Sequence, residues 1–180
     1  MSTGSSPTRH GWLSRVLLGL AKPAKVAPPR PGERPRALTR DRVARYLDSR
    51  GYRFVVDDDG DLTGTWDGSR FWFLLLGEQQ EILQVRGRWH RSLQLDQREI
   101  ASLAVNDWNR ERIWPKAYVR EEEGALALYS EVSSDFEPGA TDLQLAQLVA
   151  CGLGTGVQMF TALDGLLPRD DAPPTDLPDN

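Results

Sequence analysis

The sequence predicts an α+β fold, an antiparallel sheet of a β-meander and a β-hairpin with three helices packed on it, in the order α-ββββ-α-ββ-α. Three observations carry this expectation. Six short segments read as strands, turn signals join them into hairpins, and three further stretches open on helix-capping residues. Strands grouped in hairpins exclude a parallel βαβ arrangement, because a parallel pair needs a long crossover between its members.

Thr39 suits an N-cap ahead of a first helix carrying Val43, Tyr46 and Leu47 and ending near Gly51. The period then changes to two, and segments 52–56, 62–66, 71–76 and 82–89 read as four strands separated by Asp59-Gly60, Asp67-Gly68 and Gly77. Asp96 and Glu99 form a capping-box pattern, with Leu95 and Ile100 placed as a hydrophobic staple, so a second helix is expected to turn Ile100, Leu103, Ala104 and Trp108 inward. Pro115 stops it. Strands at 117–120 and 125–132 follow, joined by the acidic turn Glu121-Glu122-Glu123-Gly124. Thr141 with Gln144 repeats the capping logic for a last helix through Leu145, Leu148, Val149, Phe160 and Leu163.

The 180 residues, 39% hydrophobic and 27% charged, suit one globular domain, and no uninterrupted apolar run approaches the roughly 20 residues of a membrane span. The domain is expected over residues 37–168, between a basic Pro-rich arm (1–36) and an acidic tail (169–180), both expected to be disordered. The lone Cys151 excludes an intrachain disulfide and fits a reducing cytoplasm. Charge is unevenly spread. Residues 1–36 hold seven Arg or Lys against Glu33, a local +6, so the formal net of -4 conceals a strongly acidic body. Such a body would be repelled by phosphate backbones, which leaves no nucleic-acid contact outside the arm. Within the arm, Trp12, Leu13, Val16, Leu17 and Leu20 fall on one side of a helix, with Arg15, Lys22 and Lys25 supplying positive charge. Residues 9–25 are therefore expected to make weak contact with a membrane surface or to dock on a partner. Arg15 inside the apolar run and Pro23 just after it argue against a cleaved signal peptide.

The segment 71–76 is apolar on both of its faces. Phe71, Phe73 and Leu75 point one way and Trp72, Leu74 and Leu76 the other, whereas a sheet with one wet face normally alternates apolar with polar. Something is expected to cover the second face. Arg86, Arg88, Tyr118 and Arg120 are candidates to share it with Trp72, Leu74 and Leu76, and Trp, Tyr and Arg are the types enriched at interface hot spots. The expectation is a partner or self-association surface centred on Trp72, with a homodimer as one form; the alternative is a cover supplied within the chain.

Residues suited to catalysis are sparse. His10 and His90 cannot make a histidine metal cage, and His90 is expected in a loop as a solvated side chain. Gly152, Gly154 and Gly156 lie inside the last helix without the strand before or the Lys-Ser or Lys-Thr after that a phosphate loop needs, so close packing or a local break is the reading. Cys151 beside them reads as a small buried hydrophobe. The runs Asp57-Asp58-Asp59 and Glu121-Glu122-Glu123 read as solvated turns, the first lacking the distant Glu of a calcium loop. No catalytic residue, metal ligand or cofactor is expected.

The segments Arg86-Gly87-Arg88-Trp89, Ala104-Val105-Asn106-Asp107-Trp108-Asn109 and Trp114-Pro115-Lys116-Ala117-Tyr118-Val119, followed by a hairpin and a terminal helix, resemble the YbjN-domain family of bacteria over residues 38–167. The resemblance implies a fold like that of type III secretion chaperones and a binding or sensory-transduction regulatory module in the cytoplasm, without an established active site. The expected function is therefore a non-enzymatic protein-interaction module, chaperone-like or regulatory. A membrane-peripheral adaptor docking through residues 9–25 is the alternative.

Overall fold

The structure, a computed structural model, describes residues 33–167. Its elements are α1 (Arg40–Ser49), β1 (Val55–Val56), β2 (Leu62–Trp66), β3 (Ser69–Leu76), β4 (Ile82–Leu93), α2 (Arg98–Glu111), β5 (Lys116–Glu122), β6 (Ala125–Asp135) and α3 (Asp142–Leu166). The expected order holds. All pairings in the six-stranded sheet are antiparallel, in the order β1-β2-β3-β4-β6-β5, so the second hairpin adds to the free edge of the meander with its later strand innermost. The N-terminal amphipathic segment and the acidic tail lie outside the described residues.

Both helix starts marked by Thr are where the sequence puts them. Thr39 accepts from the Arg42 N–H, and Thr141 and Gln144 cap α3 reciprocally, satisfying donors that the first helical turn leaves free. The second helix differs. A 3-10 turn at Leu95–Gln97 precedes it, capped by Gln94 and Gln97 instead of Asp96 and Glu99. Leu95 and Ile100 are both exposed, so no staple forms, and Leu103 also faces outward. The buried stripe is Ala101, Val105 and Trp108, because α2 lies along the outer strand β5 and reaches the core through one narrow side. Its Asn109 amide donates to the Ala117 carbonyl and accepts from the Ala117 N–H, both at 2.8 Å. That pair replaces the neighbour strand missing at the β5 edge, which would otherwise present unpaired groups.

Strand boundaries shift for physical reasons. Only Val55–Val56 pairs on the outer edge, since Tyr52 leaves the strand direction to pack its ring edge-on to Trp66. β4 continues past Trp89 to Leu93 through a bulge, in which Arg88 to Ser92 spans only Tyr129 to Ala127 on β6. His90 is thus an exposed strand residue, not a loop residue; its Nε2 lies 3.7 Å from Asp164 Oδ1. The acidic turn is shorter than expected, with Glu123 and Gly124 alone at positive φ while Glu121 and Glu122 belong to β5.

All three helices share one side of the sheet. α3 crosses β3, β4 and β6, and α1 and α2 flank it. The core on that side gathers Phe71, Phe73, Val85, Trp89, Leu128, Phe160 and their neighbours. Close approach of α3 rests on two of its glycines. A Cβ on Gly152 would lie 2.4 Å from the Val85 Cβ, and one on Gly156 would lie 2.7 Å from Phe71 Cε1, whereas Gly154 faces open space. The helix is unbroken, so the stripe serves packing. Opposite signs are expected in denaturant unfolding: Gly154→Ala should raise stability by up to about 1 kcal/mol through helix propensity, and Gly152→Ala should lower it by about 1–3 kcal/mol through overpacking. Equal effects would contradict the close contact with Val85.

Candidate functional site

The cross-strand register places the seven residues singled out in the sequence on the face opposite the helices. Trp72 pairs with Arg86, Arg86 with Glu131, Arg88 with Tyr129, Tyr129 with Tyr118 and Arg120 with Ala127, while Leu74 and Leu76 stand opposite Gln84 and Ile82. Parity along each strand then fixes one shared face. No helix of the described residues covers it. Leu74, Ala127 and Tyr129 are buried yet stand apart from the core under the helices.

This face has two unlike halves. Over β4, β5 and β6 it is a ladder of paired charges. Glu131 accepts from Tyr118 Oη at 2.6 Å and Arg86 Nε at 3.0 Å, with Lys116 Nζ at 3.6 Å. Glu122 repeats the pattern one rung along, accepting from Tyr129 Oη at 2.7 Å and Arg88 Nε at 3.3 Å, with Arg120 Nε at 3.6 Å. The Tyr118 and Tyr129 rings stack between the rungs, centroids 5.3 Å apart and 9° from parallel. A depression of about 610 Å³ opens beside the second rung, among Arg88, Ser92, Arg120 and Glu122. Sequence reasoning missed both glutamates and Tyr129, because Glu122 sat in an apparent turn and registry across β4, β6 and β5 was needed to align the rungs.

Titration follows from these contacts. Burial, then the hydrogen bond to Glu131, pushes the Tyr118 phenol far above its usual range, and burial with the Glu122 bond raises Tyr129. At Glu122 burial works upward, but the hydrogen bonds from Tyr129 and Arg88 outweigh it and hold the carboxyl below its ordinary value. A depressed folded-state pKa supplies stability that is complete above the unfolded value and lost as pH falls through the folded one. Stability should therefore decline below about pH 4, the ordinary carboxylate range. Glu122→Gln should flatten that decline in urea titrations at successive pH values, and an unchanged acid slope would mean the rung contributes nothing.

Over β3 and the start of β4 the face is apolar. Trp72, Leu74, Leu76 and Ile82 form a strip that runs to the end of the sheet, with Leu76 39% exposed. Arg70 stacks over Trp72 with its guanidinium carbon 4.9 Å from the ring centroid. Within the strip, Gln84 is 8% exposed and donates from Nε2 to Ser133 Oγ at 2.9 Å, while its Oε1 has no hydrogen-bond partner among the described residues. A buried acceptor left so costs about 1–3 kcal/mol, and an arriving donor would recover it.

The other sequence candidates stay apart. Half-buried Cys151 sits in α3, its thiol pKa raised by burial, and Asp57 and Gly60 form the β1–β2 turn, where Asp57 Oδ1 accepts from the Asp61 N–H. Among the described residues no three His, Cys, Asp or Glu side chains gather as a metal site. One described helix, α3, is long and apolar enough to cross a membrane, and here it packs on the sheet with Leu145, Val149, Leu153 and Phe160 buried.

The model of the YbjN family, described as "Putative bacterial sensory transduction regulator", matches residues 39–165. No curated protein matches the chain. Among solved structures, the chain is similar to YbjN from E. coli, described as a putative transcription regulator, with a TM-score of 0.64 and 16% identity over 75% of this chain and 99% of that one. The ExsC-ExsE complex gives a TM-score of 0.49 and 19% identity over 75% of this chain and 99% of that chain. The HopA1-SchA chaperone-effector complex gives 0.43 and 15% over 70% and 90%.

Proposed function

Because this chain belongs to the YbjN family, whose model spans 39–165, we propose that it acts as a non-enzymatic, cytoplasmic protein-interaction module of chaperone-like or regulatory kind, binding through the open face of its sheet. The observation that carries the reading is the strip Trp72, Leu74, Leu76 and Ile82, which no described helix covers and which holds at its middle the Gln84 acceptor, without a hydrogen-bond partner among the described residues. A wet sheet face is normally polar, and the rest of this one is. The ladder pairs its own charges, so the apolar strip, with Arg70 stacked on Trp72, supplies the hydrophobic part of the surface and the ladder its polar rim. Trp72, Leu74, Leu76, Arg86, Arg88, Tyr118 and Arg120 are the proposed contact residues. A protein partner or a second copy of the chain, forming a homodimer, would satisfy the same surface.

The test is photo-cross-linking in the bacterium that makes the protein. A benzophenone amino acid replaces Leu76 on the open face or, as a control, Gln158 on the exposed side of α3. Discrete protein adducts from position 76 alone support the reading, a doubled mass marking the homodimer. Adducts of equal yield from both positions, or none from 76, defeat it.

A further inference from the structure

We propose that the apolar strip is a docking site for the chain's own N-terminal segment, residues 12–20, which occupies it until a partner displaces it. The inference rests on the binding role of the open face argued above and names what fills that face in the free protein. Four observations converge on this occupant.

The first is where the chain arrives. Arg36 pairs with Ala140 through two backbone hydrogen bonds, Arg36 N to Ala140 O at 3.0 Å and Ala140 N to Arg36 O at 2.9 Å. Ala140 follows closely on Asp135, which stands opposite Ile82, and Phe136 donates to the Glu81 carbonyl at 2.9 Å. The arm therefore meets the domain at the end of the sheet where Leu76 and Ile82 bring the strip to its close. The twelve residues 21–32 can span about 40 Å when extended, far more than is needed to turn onto the open face.

The second is size. Trp72 to Leu76 covers about 13 Å of strand at roughly 3.3 Å per residue, and residues 12–20 read as a helix cover about 13 Å at 1.5 Å per residue. Trp12, Leu13, Val16, Leu17 and Leu20 would share one side of that helix, an apolar stripe of matching length.

Charge is the third. The ladder carboxylates are all paired, but Glu78, Glu81, Asp135 and Glu137, grouped around the Leu76 end, form no ion pair among the described residues. Residues 1–36 carry a net +6, and Lys22 and Lys25 lie just where the linker would pass these acids. Opposite charges at the rim fix orientation and register more than affinity. The fourth is the Gln84 Oε1, a buried acceptor in the middle of the strip without a donor among the described residues, which an N–H group of the docked segment would satisfy.

The experiment uses the full chain with Leu13→p-benzoylphenylalanine, irradiated as an equal mixture of unlabelled and 15N-labelled protein and digested with trypsin. Residues 71–86, which hold the whole strip, form a single tryptic peptide. The expected product joins peptide 10–15 to peptide 71–86 with both halves of the same isotope. Its yield should fall at least several-fold on Trp72→Glu, with the melting temperature within a few degrees of the parent. Adducts to α2 or α3, adducts only between differently labelled chains, no adduct, or a yield indifferent to Trp72→Glu would each overturn the docking. Should that happen while position 76 still captures a partner in cells, the binding role of the face survives alone; loss of both results removes both.

Discussion

Phe71→Ala should cost about 3–5 kcal/mol of stability, while Trp72→Ala, one residue along, should cost about 1 kcal/mol. Phe71 is fully buried; its ring meets Trp66 and Phe160 with centroids 5.8 Å away in each case, and Gly87 and Gly156 make the room it occupies. Truncation leaves a cavity that two glycines and a helix cannot collapse to fill. Trp72 points to the open face, half-buried beside Arg70, so its loss removes a cation-π contact and little packing. For a domain of this size each kcal/mol moves the melting temperature by roughly 3–5 °C, so far-UV circular dichroism on heating should separate the two variants by roughly 6–20 °C. Equal losses would mean that Trp72 is packed as a core residue.

Arg42→Ala should lower stability by about 2–4 kcal/mol, an unusually large effect for an arginine in the first turn of a helix. Its side chain is 5% exposed and donates to the carbonyls of Arg36, Ala37 and Ala140 at 2.7, 2.9 and 2.7 Å, and to Asp142 Oδ1 at 2.8 Å. It thus ties the segment before α1 to the start of α3. Its hydrogen bond to Asp142, with Arg36 assisting, holds that carboxyl below its ordinary pKa against the opposing effect of burial. Arg42→Lys should rescue little, since one ammonium cannot span groups that a planar guanidinium joins at once. Chemical unfolding measures the loss, and hydrogen exchange at the Arg36 and Ala140 amides should show the bridge opening. A neutral Arg42→Ala, or full rescue by lysine, would show that the backbone bridge holds without its clasp.

Legibility in the sequence tracks how local the cause is. Caps at Thr39 and Thr141 are decided within four residues, and both are found where the pattern puts them. The start of α2 was misread because Asp96 and Glu99 satisfy the same local pattern as Gln94 and Gln97, and the choice depends on how the chain leaves β4. Its inward face is legible at Trp108, which is buried as expected, but not at Ile100 and Leu103, which are exposed while the smaller Ala101 is buried.

The candidate site divides the same way. Period two in 71–76 puts Trp72, Leu74 and Leu76 on one face without reference to any partner strand, because successive side chains of a strand must alternate. Element order, two of the helix caps and the existence of a second apolar sheet face thus follow from local pattern alone. The pairing of Glu122 and Glu131 with Arg88 and Arg86, the clasp at Arg42, and the room that Gly152 and Gly156 leave for Val85 and Phe71 come instead from long-range packing. Each of these depends on register or helix placement between segments tens of residues apart, and a one-residue slip would send every side chain of a strand to the opposite face.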